Sequence, residues 1–172
     1  MAEFSDSLTA VVAHAAAMVA AVRVGPNRHI TGIHWRPDVI VTSDQALPPQ
    51  DGYTLVRFDG QLMPARALSR DPIGNLASLR LDPSVPPPAL AMGPDPRVGS
   101  LVAVVGADFD GGPTARLAVV HRRMRPGGVD GPGPVIDPMG GGTMEQGGAV
   151  LDLSGTLLGM ASIGPNGHMV IV

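Results

Sequence analysis

The sequence predicts an all-β protein of two packed six-stranded antiparallel β-barrels, with a short helix at the N-terminus. Glycine and proline, 23 and 18 of the 172 residues, are spread as turn residues between apolar runs and form no low-complexity block. The apolar runs have the length of strands, and they fall into two sets of six on either side of a proline-rich stretch. Two packed barrels are the architecture that this organisation suggests.

Residues 1–82 are predicted to form the helix and the first barrel. Apolar residues recur at helical spacing from Leu8 to Ala15, and Ser5 or Ser7 is positioned to cap that helix. The pattern then changes to that of a strand. The six strand segments of this half are MVAAVRV, HITGIHW, DVIVTS, YTLVRFDG, LMPARALSR and LASLRLD, separated by Pro, Asp or Gly.

A connector over residues 83–97 separates the two barrels. It contains six prolines, which cannot donate hydrogen bonds to a sheet, so we expect a semi-extended chain there. Residues 98–172 are predicted to form the second barrel, and the three parts together make one domain. The six strand segments of this half are SLVAVVGA, ARLAVVHR, GPVIDP, GGAVLDL, TLLGMASI and HMVIV.

The composition excludes several kinds of site. Cysteine is absent, which excludes disulfides, thiolate metal sites and a cysteine nucleophile. The net charge is −3, and the one basic cluster, from His121 to Arg125, lacks interleaved aromatic residues, so no nucleic-acid partner is expected. The five histidines are scattered without the spacing of a metal site, so we expect neither a metal nor another cofactor.

The apolar stretch over residues 8–22 does not meet the requirements of a targeting segment. Glu3 and Asp6 precede it where a secretory signal has basic residues, and no convincing cleavage site follows. The stretch is also too short to span a bilayer, and it contains His14. We therefore expect a soluble, cytoplasmic chain without membrane insertion.

Three stretches of the sequence carry a family resemblance, in the order TGIHWRPDVIVTSDQAL (31–47), DPIGNLASLRLD (71–82) and MEQGGAVLDLSGTLLGMAS (144–162). They resemble the segments that bear the histidine, aspartate and serine of the trypsin-like serine proteases, particularly those of the bacterial HtrA (Deg) branch. The first departs from the family pattern, being one residue shorter between Pro37 and Thr42 and lacking a glycine there. The resemblance covers nearly the whole chain and implies a trypsin-like fold.

Carried across residue by residue, the resemblance places side-chain amides at all three catalytic positions. The histidine position falls on Gln45, the aspartate position on Asn75 and the serine position on Gln146. An amide has no activated hydroxyl, accepts no proton near neutral pH and carries no charge, so the chemistry of the triad is lost. The family's oxyanion pocket uses a glycine two residues before the serine, and Met144 at that place implies a collapsed or flipped pocket.

Other hydroxyl and acidic groups near these positions are not expected to replace the triad. Shifting the first match by one residue would bring in Ser43 or Asp44, but strand alternation sends Asp44 to the opposite side from Gln45, so the shift assembles no site. The hydroxyls near Gln146 are expected to be structural. They belong to Thr143, Ser154 and Ser162.

The leading hypothesis is a pseudoprotease that acts as a binding, scaffolding or regulatory subunit, with a protein partner or as a homo-oligomer. Proteins of the HtrA branch usually continue into a PDZ domain and form trimers, whereas this chain stops at Val172 and is expected to lack a PDZ domain. A peptide would bind in the barrel cleft or along the C-terminal strand HMVIV, which we expect to be an unpaired edge. Two alternatives stay open: an unorthodox serine or threonine hydrolase on the same fold, and a metal- or ligand-binding module around His34 or His121.

Overall fold

The computed structural model describes residues 1–123, 133–141 and 146–172 and has the predicted architecture. The strands form two closed barrels of six strands each, and neighbouring strands within each barrel are antiparallel. A helix precedes the first barrel. The predicted fold class is confirmed.

The N-terminal helix α1 spans Ala2–Ala16. It begins earlier than predicted, since the Ser5 N–H already donates to the Met1 carbonyl oxygen at 3.1 Å, so the prediction of a Ser5 or Ser7 cap is wrong. Glu3 in the first turn complements the positive end of the helix dipole instead. The helix packs on the second barrel. Among the described residues, no helix is long and apolar enough to cross a membrane.

The first barrel is built from six strands in the spatial order β1-β2-β3-β6-β5-β4, and β4 closes on β1. Side chains of alternate residues, such as Val22, Leu55 and Leu79, fill its interior, as the two-residue period of a strand requires. The strands are β1 (Val19–Gly25), β2 (Arg28–Arg36), β3 (Val39–Ser43), β4 (Tyr53–Arg57), β5 (Leu62–Asp71) and β6 (Leu76–Leu81).

The connector is fixed to both barrels by main-chain hydrogen bonds. At the first barrel, the Val85 N–H donates to the Pro37 carbonyl oxygen at 2.7 Å. At the second barrel, Leu157 donates to Ala91 and accepts from Gly93, both at 2.9 Å. Despite its prolines, the connector therefore runs along a defined path.

The second barrel has the spatial order β10-β11-β12-β9-β8-β7, and β7 closes on β10. Val102, Val104 and Val150 are among the residues that fill its interior. The strands are β7 (Leu101–Ala107), β8 (Pro113–Arg122), β9 (Val135–Pro138), β10 (Ala149–Leu151), β11 (Leu157–Ile163) and β12 (Met169–Ile171).

The C-terminal strand β12 is not the unpaired edge that the sequence predicted. Val170 is aligned with Ser162 of β11 on one side and with Val135 of β9 on the other. Both edges of β12 are used to close the barrel, so a peptide cannot add to this strand. The prediction of an exposed C-terminal edge is wrong.

The two barrels meet at a seam that is formed by outward-facing residues of β1, β7 and β10. Val19 and Ala21 of the first barrel share an apolar cluster with Val105 of the second. At the rim of this contact, the guanidinium group of Arg23 lies 4.1 Å from the centre of the Phe109 ring, in a cation–π arrangement. The seam is therefore apolar inside and polar where it reaches solvent.

Candidate functional site

The three predicted site residues in the described part of the chain lie together where the two barrels meet. Gln45 follows β3, Asn75 immediately precedes β6, and Gln146 lies three residues before β10. Hydrogen bonds connect all three side chains to one another directly or through Ser43. We call these three side chains with Ser43 and Ser162 the amide cluster.

Gln45 reaches from the first barrel to the second. Its Nε2 donates to the carbonyl oxygen of Ile163 at 2.7 Å and to Oε1 of Gln146 at 3.4 Å. The preceding residue, Asp44, turns to the opposite side, as strand alternation predicted, and pairs with Arg70 at 2.9 Å. Arg70 also donates to the Leu47 carbonyl oxygen, so it fixes the loop that carries Gln45.

Asn75 has a left-handed backbone conformation, with φ of 52°. Asparagine is one of the few residues besides glycine that tolerates this region. Its Oδ1 accepts from the Gln45 main-chain N–H at 2.8 Å and from the Ser43 hydroxyl at 3.2 Å. Its Nδ2 donates to the hydroxyl of Ser162 on β11, so Asn75 also bridges the two barrels.

Gln146 is held by its main chain as well as by its side chain. Its carbonyl oxygen accepts from the Thr31 N–H at 3.0 Å, across the seam. The next residue, Gly147, has φ of +85° and lies directly against Thr31, so that a Cβ atom there would overlap the Thr31 carbonyl oxygen. Only glycine satisfies both the conformation and the close approach.

Two members of the cluster were not predicted as site residues. Ser43 is fully buried and donates to the side-chain oxygens of both Asn75 and Gln146, the latter at 3.3 Å. A signal for it was present, because Ser43 lies two residues before Gln45 and strand alternation puts both on one side. Ser162 was expected to be structural. Its hydroxyl oxygen accepts a hydrogen bond from Asn75 and so links the two barrels, which is a structural role.

The cluster offers hydrogen bonds but no general base. Amide oxygens accept hydrogen bonds without taking up the proton near neutral pH, and among the described residues no carboxylate or imidazole belongs to the network. Across residues 1–123, 133–141 and 146–172, no group of three His, Cys, Asp or Glu side chains is placed to hold a metal ion. Met144, the predicted substitute for the oxyanion glycine, lies outside the described residues.

Replacing Asn75 tests how much this network stabilises the fold. Asn75→Ala removes hydrogen bonds to Gln45, Ser43 and Ser162, so we expect a loss of about 3 kcal/mol in the free energy of unfolding. Asn75→Asp should change that free energy by less than about 1 kcal/mol, because a carboxylate can accept from the same N–H and from both hydroxyls. Urea unfolding at neutral pH measures both, and equal destabilisation of the two variants would contradict this account.

Comparison with known proteins agrees with the fold and the resemblance. A family model described as a trypsin-like peptidase domain matches residues 30–160. Relatives in Brucella suis biovar 1 (strain 1330) and Brucella abortus biovar 1 (strain 9-941), each named probable periplasmic serine endoprotease DegP-like, are 32% identical over 140 residues. The match covers 76% of this chain and 27% of each relative, so the chain spans about a quarter of the length of these relatives.

Solved structures show the same fold. The crystal structure of the Rv3671c protease in an inactive form superimposes with a TM-score of 0.74 at 24% identity, covering 94% of this chain and 86% of that chain. A mutant of Rv3671c from M. tuberculosis H37Rv, also in an inactive form, gives 0.72 at 22% identity, covering 94% and 85%. Since the family model matches well over half of its length, the chain belongs to the trypsin-like peptidase family.

Proposed function

We propose that this chain is a trypsin-like pseudoprotease that acts by binding another protein. The observation that carries the proposal is the amide cluster, in which Gln45, Asn75 and Gln146 hydrogen-bond where the family resemblance places histidine, aspartate and serine. Peptide hydrolysis by that triad needs a base that takes the proton of the attacking hydroxyl and a carboxylate that stabilises the charged base. The three amides supply neither.

The second candidate function is an unorthodox hydrolase, and the position of Ser43 is the observation in its favour. The Ser43 hydroxyl lies inside the cluster, where its proton points to the amide oxygens of Asn75 and Gln146. An amide oxygen does not remove that proton, and the side chain is fully buried. Attack by Ser43 would therefore require the cluster to open and an external base to enter.

Digestion of unfolded casein separates the two candidates. The pseudoprotease proposal predicts no fragments above background with wild-type protein and no change with Ser43→Ala. Cleavage that is abolished by Ser43→Ala, or by substitution of another single serine or threonine, would favour the hydrolase. Ser69→Ala, which removes an exposed hydroxyl on β5 outside the amide cluster, is the matched control.

A cavity beside the amide cluster supplies a binding surface for a partner. It has a volume of about 150 Å³ and lies between the β5–β6 turn and the end of β11. Ile73 in that turn is 94% exposed and lines this cavity together with other apolar residues. We expect the partner to place one aliphatic side chain there, because the walls are mainly apolar: Pro72, Ile73, Ile163, Pro165, Val170 and Val172.

Two main-chain positions at the end of β11 cannot form hydrogen bonds with an added strand. The side-chain amide of Gln45 already occupies the Ile163 carbonyl oxygen, and Pro165 has no N–H to donate. We therefore expect the partner to be recognised mainly through side chains, unless Gln45 is displaced. Gln45→Ala should free the carbonyl oxygen and strengthen binding of an extended peptide.

Pull-down from the native host, followed by mass spectrometry, tests the binding role. The proposed surface predicts a partner that wild type and Leu62→Asp retain and that Ile73→Asp loses. Leu62 is the control because it is also exposed but lies outside the cavity. A partner lost equally with both variants would contradict it. Light scattering of the purified chain tests the homo-oligomeric form of the same proposal.

The compartment is part of the proposal. The relatives are named periplasmic endoproteases, whereas we propose a cytoplasmic location for this chain. Fractionation of the native host with an antibody against the chain decides between the two compartments.

A further inference from the structure

A second cavity lies on the first barrel, over strands β4, β5 and β6. Its volume is about 620 Å³, compared with about 150 Å³ for the cavity beside the amide cluster. None of the residues that line it belongs to that cluster. A volume of this size is typical of sites for small organic molecules.

Two arginines line this cavity side by side. Arg66 of β5 is aligned with Arg80 of β6 across the antiparallel pair. The neighbouring pair, Ala65 and Leu81, is buried inside the barrel, so strand alternation directs both arginines outward, where both are exposed. Residues directly opposite each other in such a pair have Cβ atoms about 5 Å apart, so both guanidinium groups can reach one small ligand. We call this cavity the arginine groove.

The positive charge of the two arginines is poorly neutralised by the protein itself. Arg66 forms no ion pair with any residue that the structure describes. Arg80 approaches Asp38, but 3.8 Å separate its Nε from Oδ2 of that residue, which is longer than a hydrogen bond. Like charges directly opposite each other destabilise a sheet, and an anion bound between them removes that repulsion. Because guanidinium groups donate paired hydrogen bonds, a phosphate group is well matched to this position.

The other polar lining residues indicate what the rest of the ligand carries. Asp51 precedes β4 and Asp82 follows β6, and within the described ranges neither forms an ion pair with Arg66 or Arg80. Asp82 lies two residues beyond Arg80, roughly 7 Å along the strand, and the exposed Thr54 adds a hydroxyl to the lining. Carboxylates accept hydrogen bonds from hydroxyl groups but repel a second negative charge. The arginine groove is therefore suited to a ligand with one anionic end and neutral hydroxyl groups, and not to a polyanion such as a nucleic acid.

We propose that the arginine groove binds a small phosphorylated polyol, of the chemical class of the sugar phosphates. The phosphate group lies between Arg66 and Arg80, and hydroxyl groups of the ligand donate to Asp51 and Asp82. This inference goes beyond the pseudoprotease proposal and is independent of it, because the arginine groove and the amide cluster share no residue.

Isothermal titration calorimetry of the full chain with glucose 6-phosphate tests the proposal. At low ionic strength we expect a dissociation constant below about 1 mM. Inorganic phosphate should bind at least about tenfold more weakly, because it brings no polyol hydroxyl groups to the carboxylates. Glucose, which lacks the phosphate, should give no measurable binding. Raising the ionic strength to about 0.5 M should weaken the binding of glucose 6-phosphate, because exposed charges are screened by salt.

Substitutions at exposed positions locate the binding without disturbing the fold. Arg66→Gln and Arg80→Gln should each weaken the binding of glucose 6-phosphate at least about tenfold, because each removes one charged donor. Arg28→Gln is the matched control and should bind as wild type does, since Arg28 is exposed on β2 of the same barrel but does not line the groove. Asp82→Ala should weaken the binding of glucose 6-phosphate and strengthen that of inorganic phosphate, because the carboxylate accepts from hydroxyl groups but repels the anion.

Three results would overturn the proposal. One is the absence of saturable binding by the wild-type chain at about 10 mM glucose 6-phosphate. Another is equal weakening by Arg28→Gln and Arg66→Gln, which would place the binding outside the groove. The third concerns the source of the phosphate: binding of inorganic phosphate or O-phosphoserine as tight as that of glucose 6-phosphate would show that the polyol is not recognised.

Discussion

Gly147→Val is expected to leave the chain largely unfolded at room temperature. The residue has φ of +85°, which a β-branched side chain adopts only under strain, and a Cβ atom there would overlap the Thr31 carbonyl oxygen and lie 2.8 Å from Oγ1 of Thr42. Relief of that overlap requires the turn to move away from β2, which breaks the hydrogen bond between Thr31 and Gln146. We expect a loss of about 5 kcal/mol, comparable to the whole stability of a small domain.

A second glycine provides the matched control. Gly167 also has a left-handed conformation, with φ of +76°, but nothing lies within 4 Å of the place where its Cβ would be. Gly167→Val should therefore cost only the backbone strain, about 1–2 kcal/mol. Circular dichroism during heating compares the two. Equal melting temperatures for the two variants would mean that the barrel seam does not depend on close approach at Gly147.

Restoring the triad is expected to produce peptidase activity only when the oxyanion position is restored with it. The triple variant Gln45→His, Asn75→Asp, Gln146→Ser rebuilds the nucleophile, the base and the orienting carboxylate. In the wild-type cluster, the Gln45 side chain already reaches that of Gln146, and the Asn75 side chain accepts from the Gln45 main-chain N–H. Adding Met144→Gly permits the main-chain N–H groups to point inward, as charge stabilisation requires. We expect the quadruple variant to exceed the triple variant by about 10²–10³ in kcat.

Hydrolysis of a chromogenic ester and of casein measures the gain. The matched control is the same quadruple design with Gln146→Ala in place of Gln146→Ser. Because alanine supplies no nucleophile, the activity of this control should stay at background. Equal activity of the triple and quadruple variants would show that Met144 does not obstruct the pocket. Activity in the control would show that the hydrolysis comes from another group.

All twelve strands were predictable because each is bounded by local signals. The strand β3, for example, consists of four β-branched residues and Ser43 between Asp38 and Asp44, and β10 follows directly on a Gly-Gly turn. The site positions of Gln45 and Asn75 came from the family resemblance and not from the local pattern. Local patterning was therefore sufficient for the strands, whereas the site residues required the resemblance.

Features that depend on distant pairing were not predictable. The strand β12 was expected to be an unpaired edge, but it pairs with β9, a strand of only four residues that lies much earlier in the chain. The start of α1 was misplaced because the chain forms its first helical hydrogen bond without a side-chain cap.

Under the proposed function, the amide cluster accounts for a trypsin-like cleft that remains well formed without a catalytic triad. Gln45, Asn75 and Ser43 of the first barrel each bond to a partner on the second, so the cluster stabilises the packing of the barrels. Amides do not titrate near neutral pH, so these bonds should not depend on pH in that range. A structural role of this kind is consistent with a protein retained for binding.

The most direct test of the central claim is labelling with a fluorophosphonate probe, which reacts only with an activated hydroxyl. Intact-mass spectrometry of the purified wild-type chain should detect no phosphonylated species under conditions in which an active trypsin-like protease is labelled to completion. A stoichiometric adduct that maps to Ser43, and that disappears with Ser43→Ala, would contradict the claim that this cluster is catalytically inert.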